Sequence, residues 1–290
     1  MTKGPILKLI VLYSLPLLAG NLFQNLYNTV DSLVVGNFLG KNSLAAIGTT
    51  TSLIFLLVGF FNGLSTGGTI VISQLFGAKD YERLNRAVHT MICGTFLLGV
   101  MFSFLGILYS PFLLHVMNVP EDVYEEAYAY LSIYFSGIVF LMLYNMGTGI
   151  LRAVGDSRNP LYYLIISSLT NIVLDLFFVI VFKSGIKGVA FATVLAQALS
   201  STLVLRKLFT TKTYYQMSVK KFCIDTKCLA KTLMYGLPGA IQMTITAFSN
   251  MFAQRYINHF GADCIAGQAI FQKIDSLALL PLITLGVGIT

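Results

Sequence analysis

Two carboxylates stand inside stretches that are otherwise apolar. Asp31 closes the run Asn21-x-x-Gln24-Asn25-x-Tyr27-Asn28-x-x-Asp31, and Asp175 closes Asn171-x-x-x-Asp175. An ionisable side chain at the middle of a bilayer costs about 2.5–3.5 kcal/mol or more, so its presence calls for a functional reason. Gln24, Asn28 and Asp31 recur at i, i+4 and i+7, which places three oxygen-bearing side chains on one helical face. Asn171 and Asp175 share a face at i, i+4, as do Thr193 and Gln197 further along. Hard oxygen ligands of this kind suit a proton or Na⁺. Amides and hydroxyls also bridge neighbouring helices, so Gln24, Asn28, Asn171, Thr193 and Gln197 have an ordinary structural reading that weighs less for the two acids, because a buried carboxylate is costlier than an amide. Two like carboxylates in a low dielectric repel unless a cation joins them. Pro16, fifteen residues before Asp31, removes a helical hydrogen bond and is expected to bend the first helix.

Other polar positions carry weaker signals. Tyr130 and Tyr134 lie on one helical face and fit either a cavity wall or plain core packing. Gly63-Leu-Ser-Thr-Gly67-Gly68 lacks the spacing of a phosphate loop and is read as close helix packing. Lys273 and Asp275 fall inside the last apolar stretch; at i, i+2 they do not face each other, and one of them is a candidate for a cleft. His89, His115 and His259 lie near stretch ends and are expected at the interface. The four cysteines fall in different segments, with neither a disulfide pattern nor zinc-ligand spacing.

The elements that must hold these groups are transmembrane helices. The 290 residues are 56% hydrophobic and 11% charged, with a mean hydropathy of +0.77. A soluble domain averages roughly 45–50% and 25%, so a water-soluble enzyme is excluded. Eight stretches are long enough to cross a bilayer: 8–38, 44–77, 84–110, 122–151, 160–183, 187–209, 228–259 and 264–290. Their continuous apolar character excludes the alternating strands of an outer-membrane barrel. The net charge is +7, and the basic residues lie between the apolar runs, which points to membrane orientation and away from nucleic acid. Lys and Arg crowd one side, above all in 206–231, whereas Lys41, Lys183 and Lys187 fall on the other. The positive-inside rule then places the N-terminus and the basic linker in the cytoplasm. The linker itself reads as a segment drawn to anionic lipid.

The sequence repeats itself. Tyr13-Ser14-Leu15-Pro16 returns as Tyr235-Gly236-Leu237-Pro238, and Asn28 returns as Asn250. One deletion later, Gly40 matches Gly261, Ala45 matches Ala266, and Gly67 matches Gly288. Six spans separate the copies, so both enter from the same side, a parallel repeat of the kind found in transporters. The expected fold is all-α and integral to the membrane. Residues 1–210 form a six-helix lobe, 211–227 a cytoplasmic basic linker, and 228–290 the first two spans of an incomplete second lobe. On this reading the chain is an N-terminal fragment, and its seventh and eighth spans, lacking the rest of their lobe, pack loosely.

Pro16, Asp31, Val35-Gly36 and Gly40 resemble the opening of multidrug and toxic compound extrusion (MATE) transporters. Ser73-Gln74-x-x-Gly77-Ala78, Leu151-Arg152-Ala153-x-Gly155-Asp156-x-x-x-Pro160 and Asn171-x-x-x-Asp175 fit the same pattern. The resemblance covers essentially the whole chain. It implies a secondary antiporter of the bacterial inner membrane that exports organic cations in exchange for Na⁺ or H⁺ by alternating access. No other cofactor is implied, and the full-length protein would be a monomer. The coupling cation would sit at Asp31 and Asp175, with Asn171 and Thr193 beside them and Pro16 as the bending point. Gln24, Tyr27, Asn28, Tyr130, Tyr134, Gln197, Lys273 and Asp275 are the candidates for the substrate cavity. Gln242 and Thr246 stand where some members carry an acid in the seventh span. The alternatives are a lipid-linked sugar or lipid flippase of related architecture, which calls for a more basic cavity, and an inactive fragment.

Overall fold

The computed structural model describes residues 29–218 and 224–289 together with Leu18, Gly20, Leu22, Phe23 and Asn25; at 273, 277 and 280–289 it describes the backbone alone. The described residues are overwhelmingly helical, as apolar runs of this length require where no water can satisfy the backbone. Helix α1 is described over 29–38. It is followed by α2 (Lys41–Gly77), α3 (Tyr81–Val116), α4 (Glu121–Ser136), α5 (Ile138–Ala153) and α6 (Arg158–Leu176). After a π-helical turn, Phe177–Val181, come α7 (Gly185–Thr210), α8 (Thr226–Asn258) and α9 (Ala262–Ile289).

Among the described residues, α2, α3, α6 with its π-helical turn, and α7 are each long and apolar enough to span a membrane. Helices α4 and α5 make a fifth span that bends by 49° at Gly137. The single fourth stretch of the sequence is therefore two helices. A β-carbon at Gly137 would stand 2.4 Å from Val194 Cγ1, so α7 packs closely against the bend. Helix α8 has 33 residues, ample length for a span, but Gln242, Thr244, Thr246, Ser249 and Asn250 make it less apolar than the first-lobe helices.

The internal repeat is visible in the backbone. Gly40 and Gly261 have φ of 92° and 83°, a region that costs glycine little. Each carbonyl accepts a hydrogen bond four residues on, from the amides of Leu44 and Ile265, at the start of α2 and α9 respectively. Lys41 and Asp263, the next residues but one or nearer, form an ion pair at 3.0 Å between the two copies. Pro238, the counterpart of Pro16, lies inside α8; Pro16 itself lies outside the described residues.

The seventh span does not pack loosely. Helix α8 runs along α2, and its seat is made by glycine. A β-carbon on Gly63 would lie 2.2 Å from the Ala240 amide nitrogen, and one on Gly67 would lie 2.4 Å from the Thr232 carbonyl oxygen. Backbone meets backbone there, which only small residues permit. At the far end of the same pair, Thr49 donates to Asn258 Oδ1 at 3.2 Å, Gln254 donates to the same oxygen at 3.0 Å, and Asn258 Nδ2 donates to the Met117 carbonyl at 2.9 Å. All three side chains are buried. The expectation of a loose α8 neglected what α2 offers it: a groove of small residues needs no help from later helices.

The described ends of the linker, 211–218 and 224–227, lie against α3. Asn85 donates to the carbonyls of Tyr214 and Gln216, and Tyr81 stacks on Tyr214 at 3.8 Å. His89, expected at the interface, is fully buried. Its Nε2 accepts from the Ser218 amide at 2.9 Å, which leaves Nδ1 as the donor to the Asn85 carbonyl at 2.8 Å. The Asp225 amide donates to Thr90, and the Asp225 carboxylate caps α8 at the amides of Lys227 and Cys228. The start of α3 thus holds the linker and positions the first turn of α8.

Candidate ion-coupling site

Asp31 and Asp175 are brought together. Gly20 of the first helix lies against Leu161 and Leu164 of α6, and eleven residues beyond Gly20 and Leu164 the two acids meet. Their carboxyl groups adjoin. On the other flank, Ser167 donates to the Ala196 carbonyl at 2.7 Å. Helices α6 and α7 are antiparallel, so four residues beyond that bond Asn171 comes level with Thr193. Asp31 is 7% exposed, Asp175 and Asn171 1%, and Thr193 3%.

Both carboxylate oxygens of Asp175, both polar atoms of Asn171, Thr193 Oγ1 and Gln197 Oε1 are buried without a protein hydrogen-bond partner. An unsatisfied buried polar group costs about 1–3 kcal/mol, and native structures tolerate few of them. Here they gather around one acid pair. Carboxylate, amide and hydroxyl oxygens converging between helices are the donor set of a hard monovalent cation. Among the described residues no three His, Cys, Asp or Glu side chains form a metal cluster, so neutral oxygens would make up the rest of any shell.

The neighbouring candidates fall into two groups. Tyr130 and Tyr134 are buried and stacked with centroids 6.3 Å apart, and the Tyr134 hydroxyl adjoins the Gln197 amide. They belong to the same apolar cluster as Val34 and Val35 of α1 and Val179 beyond Asp175. Asp275 is exposed on α9, and Asn25 and Ser276, 3.4 Å apart, bring α9 to the first helix. Pro16, Gln24, Tyr27 and Asn28 lie outside the described residues, as does the Lys273 side chain. The π-helical turn begins two residues after Asp175, and such turns recur at functional sites; no periodicity in the sequence marks it. Nor did the sequence single out His89 or Asn258 as anchors, although Asn85-x-x-x-His89 and Gln254-x-x-x-Asn258 have the i, i+4 spacing that signalled Asn171 and Asp175.

Comparison with known proteins identifies the family. The family model MatE matches residues 16–177, a range that contains Asp31, Asn171 and Asp175. The chain belongs to this family, the multidrug and toxic compound extrusion transporters. It is 31% identical over its whole length to the Probable multidrug resistance protein YoeA of Bacillus subtilis and 29% identical to YpnP of the same organism. It spans 64% of the length of each. Among solved structures, an outward-facing multidrug resistance MATE transporter of the MOP superfamily superposes with a TM-score of 0.86 at 26% identity, over 97% of this chain and 62% of that one. An inward-facing one gives 0.84 at 25% identity, over 91% and 60%.

Proposed function

We propose that the protein is part of a secondary active antiporter that exports organic cations in exchange for Na⁺ or H⁺ by alternating access. The observation that carries this is the cluster of partnerless buried oxygens on Asp175, Asn171, Thr193 and Gln197 beside Asp31. A cation entering there relieves repulsion between the two acids and gives the orphaned oxygens a partner. Its binding energy is thereby available to shift α1 against α6 and α7. The relatives named as multidrug resistance proteins support a drug-like substrate. An acidic centre favours organic cations over the anionic lipid-linked sugars of the flippase alternative.

In this reading residues 1–210 are the coupling lobe, 211–227 the linker, and 228–290 the start of the second lobe. The protein lies in the bacterial inner membrane as a monomer, with its N-terminus and linker in the cytoplasm. The test is efflux of a fluorescent organic cation from cells expressing the full-length gene, with Na⁺ and pH varied separately. Asp175→Asn keeps the shape of the side chain and removes its charge, and is expected to abolish ion-driven efflux at normal expression. Normal efflux by that variant at every Na⁺ concentration and pH would refute the coupling role.

A further inference from the structure

A second feature lies on the lipid side of the bundle, away from the acid pair. Ile92, Cys93, Phe96 and Leu97 of α3, Leu143 of α5, Leu205 and Phe209 of α7, and Met217 and Ile224 of the linker enclose a groove of about 530 Å³. That volume falls within the range of about 300–1,000 Å³ typical of ligand sites. Among the described residues no charged side chain lines it. Phe96, Leu97 and Ile224 are about half exposed, so the groove opens outward to the bilayer.

Basic residues follow closely on its lining residues in the chain. Lys212 follows the last turn of α7, and Lys227 lies in the first turn of α8, three residues past Ile224; both are exposed. Arg86 stands two turns before Cys93 on the same face of α3. The acids on these elements are engaged: Glu82 pairs with Arg86, Asp80 with Arg83 at 3.4 Å, and Asp225 caps α8. His89 and Asn85 hold Tyr214, Gln216 and Ser218 against α3, which keeps Lys212 near the groove-lining Phe209 and Met217.

We propose that the groove is a binding site for an anionic phospholipid, with an acyl chain between α3 and α7 and the phosphate at the rim formed by Lys212 and Lys227. A phospholipid fits both parts of the site, an apolar slot open to the bilayer and a cationic edge at headgroup level. A drug-like cation would be repelled by that edge. This assignment is independent of the transport reading.

The protein contains no tryptophan, so one introduced indole reports its own surroundings. Phe96→Trp places the reporter in the groove, and Phe104→Trp, two turns along α3 at 69% exposure, reports ordinary boundary lipid. The intact chain is reconstituted into bilayers containing brominated phosphatidylglycerol or brominated phosphatidylcholine, and indole quenching is measured. The expected result is a preference of about five-fold for phosphatidylglycerol at position 96, the equivalent of about one Lys or Arg contact, and none at position 104. Lys212→Gln with Lys227→Gln in the Phe96→Trp background should abolish that preference. Equal quenching by the two lipids at position 96, or a preference that survives both Gln substitutions, would overturn the proposal. So would displacement of the brominated lipid from position 96 by an organic cation such as ethidium, because the groove would then be a drug site.

Discussion

Gly67 of α2 and Gly236 of α8 meet backbone to backbone: a β-carbon on Gly67 would stand 2.5 Å from the Gly236 amide nitrogen. Neither side of that contact can withdraw without moving a whole helix, so the cost of a side chain there is not relieved by a rotamer change. Gly67→Val is expected to destabilise the protein by about 1–3 kcal/mol or more. Gly267→Ala in α9, where nothing lies within 4 Å, should instead add about 0.5–1 kcal/mol through the better helix propensity of alanine. Thermal unfolding in one detergent, followed by circular dichroism, checks both signs.

Asn258 is the hub of the polar contact at the other end of the same helix pair. Its oxygen accepts from Thr49 and Gln254 while its amide donates to Met117. Asn258→Leu leaves those buried groups without partners, at a cost of about 1–3 kcal/mol. Because Thr49 reaches α8 through Asn258, the double variant with Thr49→Val should cost less than the sum of the two single variants. A double-mutant cycle on the unfolding midpoint measures that coupling, and strict additivity would show that the contact is incidental.

The parts of this architecture that were legible in the sequence are those written in local pattern. Apolar runs gave the spans, and glycines 40 and 261 with prolines 16 and 238 gave the repeat. The expense of burying either acid singled out Asp31 and Asp175, and the resemblance to MATE transporters implied that they form a pair. The π-helical turn, the bend at Gly137 and the burial of His89 depend on which helix lies opposite, and a single sequence does not carry that information. The glycines of α2 show the boundary well. Gly63 and Gly67 announced a close contact, but not that α8 would be the helix to make it.

His89 ties the linker to α3 through the Ser218 amide, and Asn85 adds two carbonyl contacts beside it. His89→Phe preserves most of the ring volume and removes the hydrogen bonds. The linker should then open more often, because local opening is governed by such contacts. Limited trypsin digestion of the purified protein is expected to cut faster after Lys212, while the midpoint of global unfolding falls less than it does for Gly67→Val. An unchanged cleavage rate would mean that the Tyr81–Tyr214 stack and Asn85 hold the linker by themselves.

A cation that binds only the folded protein stabilises it in proportion to its occupancy, by about 2.7 kcal/mol at one hundred times its dissociation constant. If Asp31, Asp175, Asn171 and Thr193 form one shell, titrating Na⁺ at constant ionic strength, with choline as the replacement, should raise the unfolding temperature along a saturating curve. Asp175→Asn should flatten that curve, because the neutral amide removes the charge that attracts the cation. Thr193→Val should shift the curve to higher Na⁺ without flattening it, since it removes one neutral ligand and leaves both acids in place. Asp275→Asn, on the exposed face of α9, should leave the curve where it was. A curve unchanged by Asp175→Asn would place the stabilising ion elsewhere. A protein stabilised equally by Na⁺ and choline, but more strongly as pH falls, would identify the proton as the coupling ion at the same pair of acids.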